Sequence, residues 1–81
     1  MPLCYEEGRV RFEGHCAVEE ALDLTEFLRA TPTADVDLSA CASLHTALFQ
    51  AIIASGARVS APPGDAALAR AVMPALAAGV R

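Results

Sequence analysis

A chain of 81 residues, 54% hydrophobic and 20% charged, describes one folded domain with a single modest core and excludes a disordered polymer. The net charge is -4, and the six basic residues, Arg9, Arg11, Arg29, Arg58, Arg70 and Arg81, are spread along the chain. That pattern speaks against a nucleic-acid face and against a basic membrane-surface helix.

In chain order, MPLCYEEGR has no basic start followed by an apolar run, so no signal peptide is expected. Leu3 to Glu6 reads as a strand, Arg9 to Glu13 as the next, and Gly8 marks the turn between them. In RVRFE, Val10 and Phe12 alternate with Arg9, Arg11 and Glu13, the period of a half-buried strand. Gly14-His15-Cys16 then breaks the strand. Residues 17 to 30, AVEEALDLTEFLRA, predict a helix with Val18, Ala21, Leu22, Thr25 and Leu28 on one face. Glu19, Glu20 and Asp23 near its start and Arg29 near its end suit the helix dipole. Thr31-Pro32-Thr33 ends it, because the residue before proline disfavours helical backbone.

Ala34 to Leu38 predicts a short strand, and Ser39 to Ser43 a loop. A second helix is expected from His45 or Thr46 to Ser55, closed by Gly56. Its apolar stripe is wide: Leu48, Phe49, Ile52 and Ile53. Arg58 to Ala61 reads as a further strand and Pro62-Pro63-Gly64 as a turn. Asp65 caps a last helix, residues 66 to about 78, that Pro74 kinks or interrupts. The order β-β-α-β-α-β-α implies one α/β domain over residues 1 to 81. It would be a small mixed sheet of about four strands with helices packed on it and right-handed parallel crossovers. With no Trp and 5% aromatic residues, Ala, Leu and Val must fill its core.

From Leu38 to Ala57 the chain carries 20 residues without Lys, Arg, Asp or Glu. The stretch is long enough to span a bilayer, but Ser39, Ser43, His45, Thr46, Gln50, Ser55 and Gly56 make it too polar. Three cysteines, Cys4, Cys16 and Cys41, form no CxxC pair and point to a reducing, cytoplasmic setting. His15-Cys16 and Cys41-x3-His45 supply soft metal ligands at strand-to-helix junctions, without a dense ligand motif. A Cys-His or Ser-His pair could be drawn from Cys41, Ser43 and His45. There is no GxSxG elbow and no glycine-rich phosphate loop, so neither catalytic residues nor a cofactor are assigned. The segment SLHTALF, residues 43 to 49, is the most informative. A polar loop feeding a helix start presents free N–H groups that favour an anion or a phosphorylated hydroxyl, and Thr46 has that position. A plain helix cap from Ser43 or Thr46 is the alternative.

VDLSACASLHTALFQAI, residues 36 to 52, resembles the signature of STAS domains, the fold of bacterial anti-sigma factor antagonists. That signature is a strand ending in Asp-Leu-Ser, a loop, and an Asp-Ser/Thr pair opening an apolar helix. Asp37-Leu38-Ser39 matches the strand end, and His45-Thr46 falls on the pair. GARVSAPPGDAALARAV looks like the family's next strand and helix. The family's usual further strand and helix are not found in this sequence, and the compact ending resembles that of the short STAS proteins that work beside the ATPase of lipid-transport ABC systems. The chain departs from the family where His45 replaces Asp and where Ala47-Leu48 replaces a small Ser/Gly-Gly pair. The resemblance implies that Thr46 is a phosphorylation switch.

The expectation is a non-enzymatic regulatory or adaptor module. It would bind a protein partner through the loop before helix two and that helix, with Ser43, His45, Thr46, Ala47, Phe49, Gln50 and Ile53 as the binding and switch residues. The resemblance names the partner as an anti-sigma factor or its kinase, or an ABC ATPase; no nucleic acid and no membrane insertion are expected. An alternative is a small metal- or thiol-responsive protein using His15, Cys16, Cys41 and His45. A third reading is a homodimer that covers the thin core by self-association.

Overall fold

The computed structural model describes residues 3 to 79. Four strands, β1 (Leu3–Glu6), β2 (Arg9–Cys16), β3 (Asp35–Leu44) and β4 (Arg58–Ala61), form one mixed sheet in the order β1-β2-β3-β4. β1 and β2 pair antiparallel across a turn where Gly8 adopts φ +74, a left-handed conformation glycine takes without a Cβ clash. β2–β3 and β3–β4 pair parallel, so each connection must be a crossover, and helices supply both. These are α1 (Ala21–Ala30) and α2 (Thr46–Ser55); α3 (Ala66–Gly79) follows β4. α2 packs against both α1 and α3, and the three helices cover the sheet.

The alternation read from RVRFE decides which face they cover. Val10, Phe12, Val36 and Leu38 are sealed from solvent, and Val10 stands opposite Val36 in register. Leu24 and Leu28 of α1, Leu48 and Ile52 of α2, and Val72 and Leu76 of α3 complete the core. The residues between them point the other way, and there opposite charges meet across strands: Glu6 opposite Arg9, Arg9 opposite Asp35, Arg11 opposite Asp37, and Asp35 opposite Arg58. Arg11 bridges Glu6 at 3.0 Å and Glu13 at 2.8 Å. These exposed pairs contribute little stability, but they fix that face as charged and solvated. Three of the arginines that look scattered in the sequence thus lie together, balanced by acids; Arg81 lies outside the described residues.

Two strands are longer than expected. β2 does not break at Gly14 but runs to Cys16, and β3 runs to Leu44 through Ser39–Ser43, where a loop is predicted. The cause is a pair of irregularities. Between Arg11 and Glu13, β2 advances two residues while β3 advances three, and between Gly14 and His15 β3 again gains one. At the first, Asp37 Oδ1 accepts from the Ser39 N–H at 2.9 Å and the Ser39 hydroxyl at 2.7 Å. That local bond makes Asp37-Leu38-Ser39 look like a strand end, while a partner strand carries the pairing onward as a bulge. Gly14, at φ +67, absorbs the distortion on β2.

α1 also differs. A 3-10 turn, Val18–Glu20, precedes it, and α1 proper starts at Ala21. The tighter turn shifts the helical phase. The buried stripe is Leu24 and Leu28 with Ala21 and Phe27 half-buried, whereas Val18 and Leu22, placed on the core face from spacing, stay 49% and 69% exposed. The end of α2 and the start of α3 follow expectation. Gly56 closes α2 at φ +69, and Asp65 Oδ1 caps α3 by accepting from Leu68 N–H at 2.9 Å. α3 runs through Pro74 without stopping.

The Pro62-Pro63-Gly64 turn folds back on the bulge: Gly64 N–H donates to Ser39 O at 3.3 Å, and a Cβ at position 64 would stand 3.0 Å from that oxygen. Backbone on both sides leaves little room to yield. Gly64→Ala should therefore lower unfolding stability by about 1 kcal/mol in urea melts, with the m-value unchanged.

Candidate functional site

The ends of β2 and β3 and the start of α2 converge on one rim. The His45 N–H donates to Cys16 O at 3.0 Å, which ties the first turn of α2 to the last residue of β2. His15, paired in register with Ser43, holds Nδ1 2.8 Å from the Ser43 hydroxyl. The rim encloses a shallow hollow of about 300 Å³ lined by His15, Cys16, Ala17, Ser43, Leu44 and His45. Of the two Cys/His pairs read from the sequence, His15, Cys16 and His45 line this rim, while Cys41 lies inside β3 rather than at a strand-to-helix junction.

The cap of α2 is neither Ser43 nor Thr46 but His45. Its backbone is extended, at φ -65 and ψ 143, and its Nδ1 accepts from the Ala47 N–H at 3.0 Å. Accepting there requires Nδ1 to be unprotonated, so the ring carries its proton on Nε2. Histidine is not among the usual capping residues, and the sequence offers no signal for it beyond its position before an apolar run.

Thr46, the first residue of α2, is exposed. The Ala47 N–H is satisfied by the His45 ring, while Leu48 and Phe49 N–H both turn to the His45 carbonyl, at 3.0 and 3.2 Å. Further along α2, Gln50 and Ala54 are exposed, and Ala47, Phe49 and Ile53 are half-buried. Phe49 and Ile53 lean on the core. The outward ridge of α2 is thus Thr46, Gln50 and Ala54, uncharged and flanked by apolar shoulders.

Beneath the rim lie two thiols. Cys16 and Cys41 are each 3% exposed, with Sγ atoms 4.0 Å apart. Cys41 also donates to Ser43 O at 3.3 Å. Burial, reinforced by the neighbouring Cys41 sulfur, pushes the Cys16 thiol up to about 12, and burial raises Cys41 as well. Thiolate is the reactive form, so both sulfurs are quiet at neutral pH. Among the described residues, no three His, Cys, Asp or Glu side chains gather into a group that could hold a metal ion. No helix among them is long and apolar enough to cross a membrane.

Comparison with protein-family models, curated proteins and solved structures finds no match to this chain.

Two outcomes check this geometry. His45→Ala should cost about 1 kcal/mol through loss of the cap, and His45→Asp should restore it, both read from thermal or urea melts. The Cys16 thiol ionises near 9.0 when free and near 12 in the fold, so the folded state holds the extra proton between those values. Stability should therefore fall as pH rises from about 9 to about 12, by at most about 1.4 kcal/mol per pH unit from this thiol. The decline should be shallower in Cys16→Ala, compared by urea melts at a series of pH values.

Proposed function

We propose that this chain is a non-enzymatic regulatory or adaptor module of STAS-like kind, working in the cytoplasm. It binds a protein partner through the segment Ser43–Thr46 and the outer ridge of α2, and phosphorylation of Thr46 acts as the switch. The observation that carries the reading is Thr46 itself: an exposed hydroxyl on the first residue of a helix that bears no charge from end to end.

The physical case rests on what each surface tolerates. The free sheet face is a lattice of paired charges, which a partner would have to desolvate. The ridge of α2 has no such cost. Gln50 and the Ser43 and Thr46 hydroxyls can form hydrogen bonds at a rim, while Ala47, Phe49 and Ile53 add apolar area beside them. A phosphate on Thr46 brings about two negative charges to the middle of that patch. It would be drawn to the helix start and would repel an acidic partner or obstruct a tightly packed one.

The STAS resemblance narrows the partner to two kinds: an anti-sigma factor with its kinase, or the ATPase of an ABC transporter. His45 is one of the two points of departure, the other being Ala47-Leu48, and its cap on Ala47 performs the structural task that an aspartate performs well at such positions.

The test takes an anti-sigma factor or an ABC-transporter ATPase as the partner, with affinity measured by calorimetry. Thr46→Glu should weaken binding at least about ten-fold, a loss of about 1.4 kcal/mol, and Thr46→Ala should leave it within about two-fold. Equal affinity for wild type and Thr46→Glu removes Thr46 from the mechanism.

A further inference from the structure

A second surface lies away from α2, between β1 and α1. Tyr5 and Phe27 stack there with ring centroids 5.0 Å apart and planes tilted by 52°. They form the walls of an open hollow of about 490 Å³, and Asp23 and Glu26 complete it. Tyr5 is 37% exposed, so an aromatic face is available to a ligand.

The charge at this place is negative. Among the described residues, the ion pairs form at Arg11 and Arg58 on the sheet, and none reaches Asp23, Glu26 or Glu20. Glu20, in the 3-10 turn before α1, does not line the hollow; its Oε1 is sealed from solvent and has no hydrogen-bond partner among the described residues. Burial first, then the charges of Asp23 and Glu20, push the Tyr5 hydroxyl up to about 12. Aromatic faces beside carboxylates are the chemistry that holds a cation, and a guanidinium uses both at once, stacking flat on a ring while donating to carboxylate oxygens.

The setting favours a polypeptide over a small amine. β1 is the terminal strand of the sheet, so among the described residues one of its edges has no strand beside it. Tyr5 stands opposite buried Val10 in register, on the helix side of the sheet. A guest strand laid along that edge projects alternate side chains to the helix side, directly beside Tyr5. We propose that the hollow between β1 and α1 binds the arginine side chain of an extended segment from another polypeptide, which adds to the free edge of β1.

Tyr5 is the single tyrosine and the chain has no tryptophan, so its fluorescence reports on this site alone. The probes are the capped pentapeptide Ser-Val-Arg-Val-Ser, the same peptide with citrulline for arginine, and N-acetylarginine amide. The arginine peptide should change Tyr5 emission saturably. The citrulline peptide and N-acetylarginine amide should each bind at least about ten-fold more weakly. Asp23→Asn and Glu26→Gln, singly and together, should weaken the arginine peptide while leaving the circular dichroism spectrum unchanged, because both side chains are exposed on α1. No saturable change, equal binding of the citrulline peptide, or full binding by the carboxylate variants would overturn the site. Binding of N-acetylarginine amide as tight as that of the peptide would overturn the strand-edge partner. None of these outcomes depends on Thr46.

Discussion

The parallel pairing of β2 with β3 is the constraint on which the rest of the molecule depends. It is the longest pairing in the sheet, and it is kept through two register shifts rather than ended by them. Asp37 holds the first shift by gripping Ser39 twice, and Gly14 takes up the strain on the opposite strand. Without the extra length, β3 would stop near Leu38 and the chain would reach α2 by a free loop. With it, Ser43 is brought beside His15, and the His45 N–H reaches the carbonyl of Cys16. The position of Thr46 follows from a bulge several residues earlier.

The parts of this fold legible in the sequence are those governed by neighbours along the chain. The alternation of RVRFE, the glycine after Ser55 and the aspartate before the last helix each act within a few residues, and each is where expected. What was hidden is set by distant partners. Ser39–Ser43 carries turn-forming residues, and only the presence of Glu13–Cys16 alongside turns it into strand. The face of α1 was misread because a 3-10 turn, invisible in spacing alone, moves Leu22 outward and Leu24 inward. For the site, the exposed position of Thr46 at the start of α2 was foreseeable from the sequence, whereas the convergence of His15, Ser43 and His45 on one rim depends on the unforeseen extension of β3. The histidine cap and the meeting of Tyr5 with Phe27 were not foreseeable either, because each depends on side-chain placement that no local rule supplies.

Charge divides the surface into three regions of different character. The open sheet face alternates acids and arginines in cross-strand register and is largely self-neutralised. The 3-10 turn and α1, with Glu20, Asp23 and Glu26, carry much of the surplus that leaves the chain at -4. α2 carries none. A single small domain can therefore offer a neutral ridge and an acidic aromatic hollow at the same time. The two recognise different chemistry, so one need not compete with the other for a partner.

Both rims of the sheet, β1 and β4, are four residues long. Strands that short offer a handful of main-chain hydrogen bonds, enough to hold one brief guest and too few to template a growing stack. β3 is longer, but its twin bulges twist it away from the flat geometry that fibrils need. A protein with so apolar a composition is thus shielded from self-propagating assembly by the brevity of its borders.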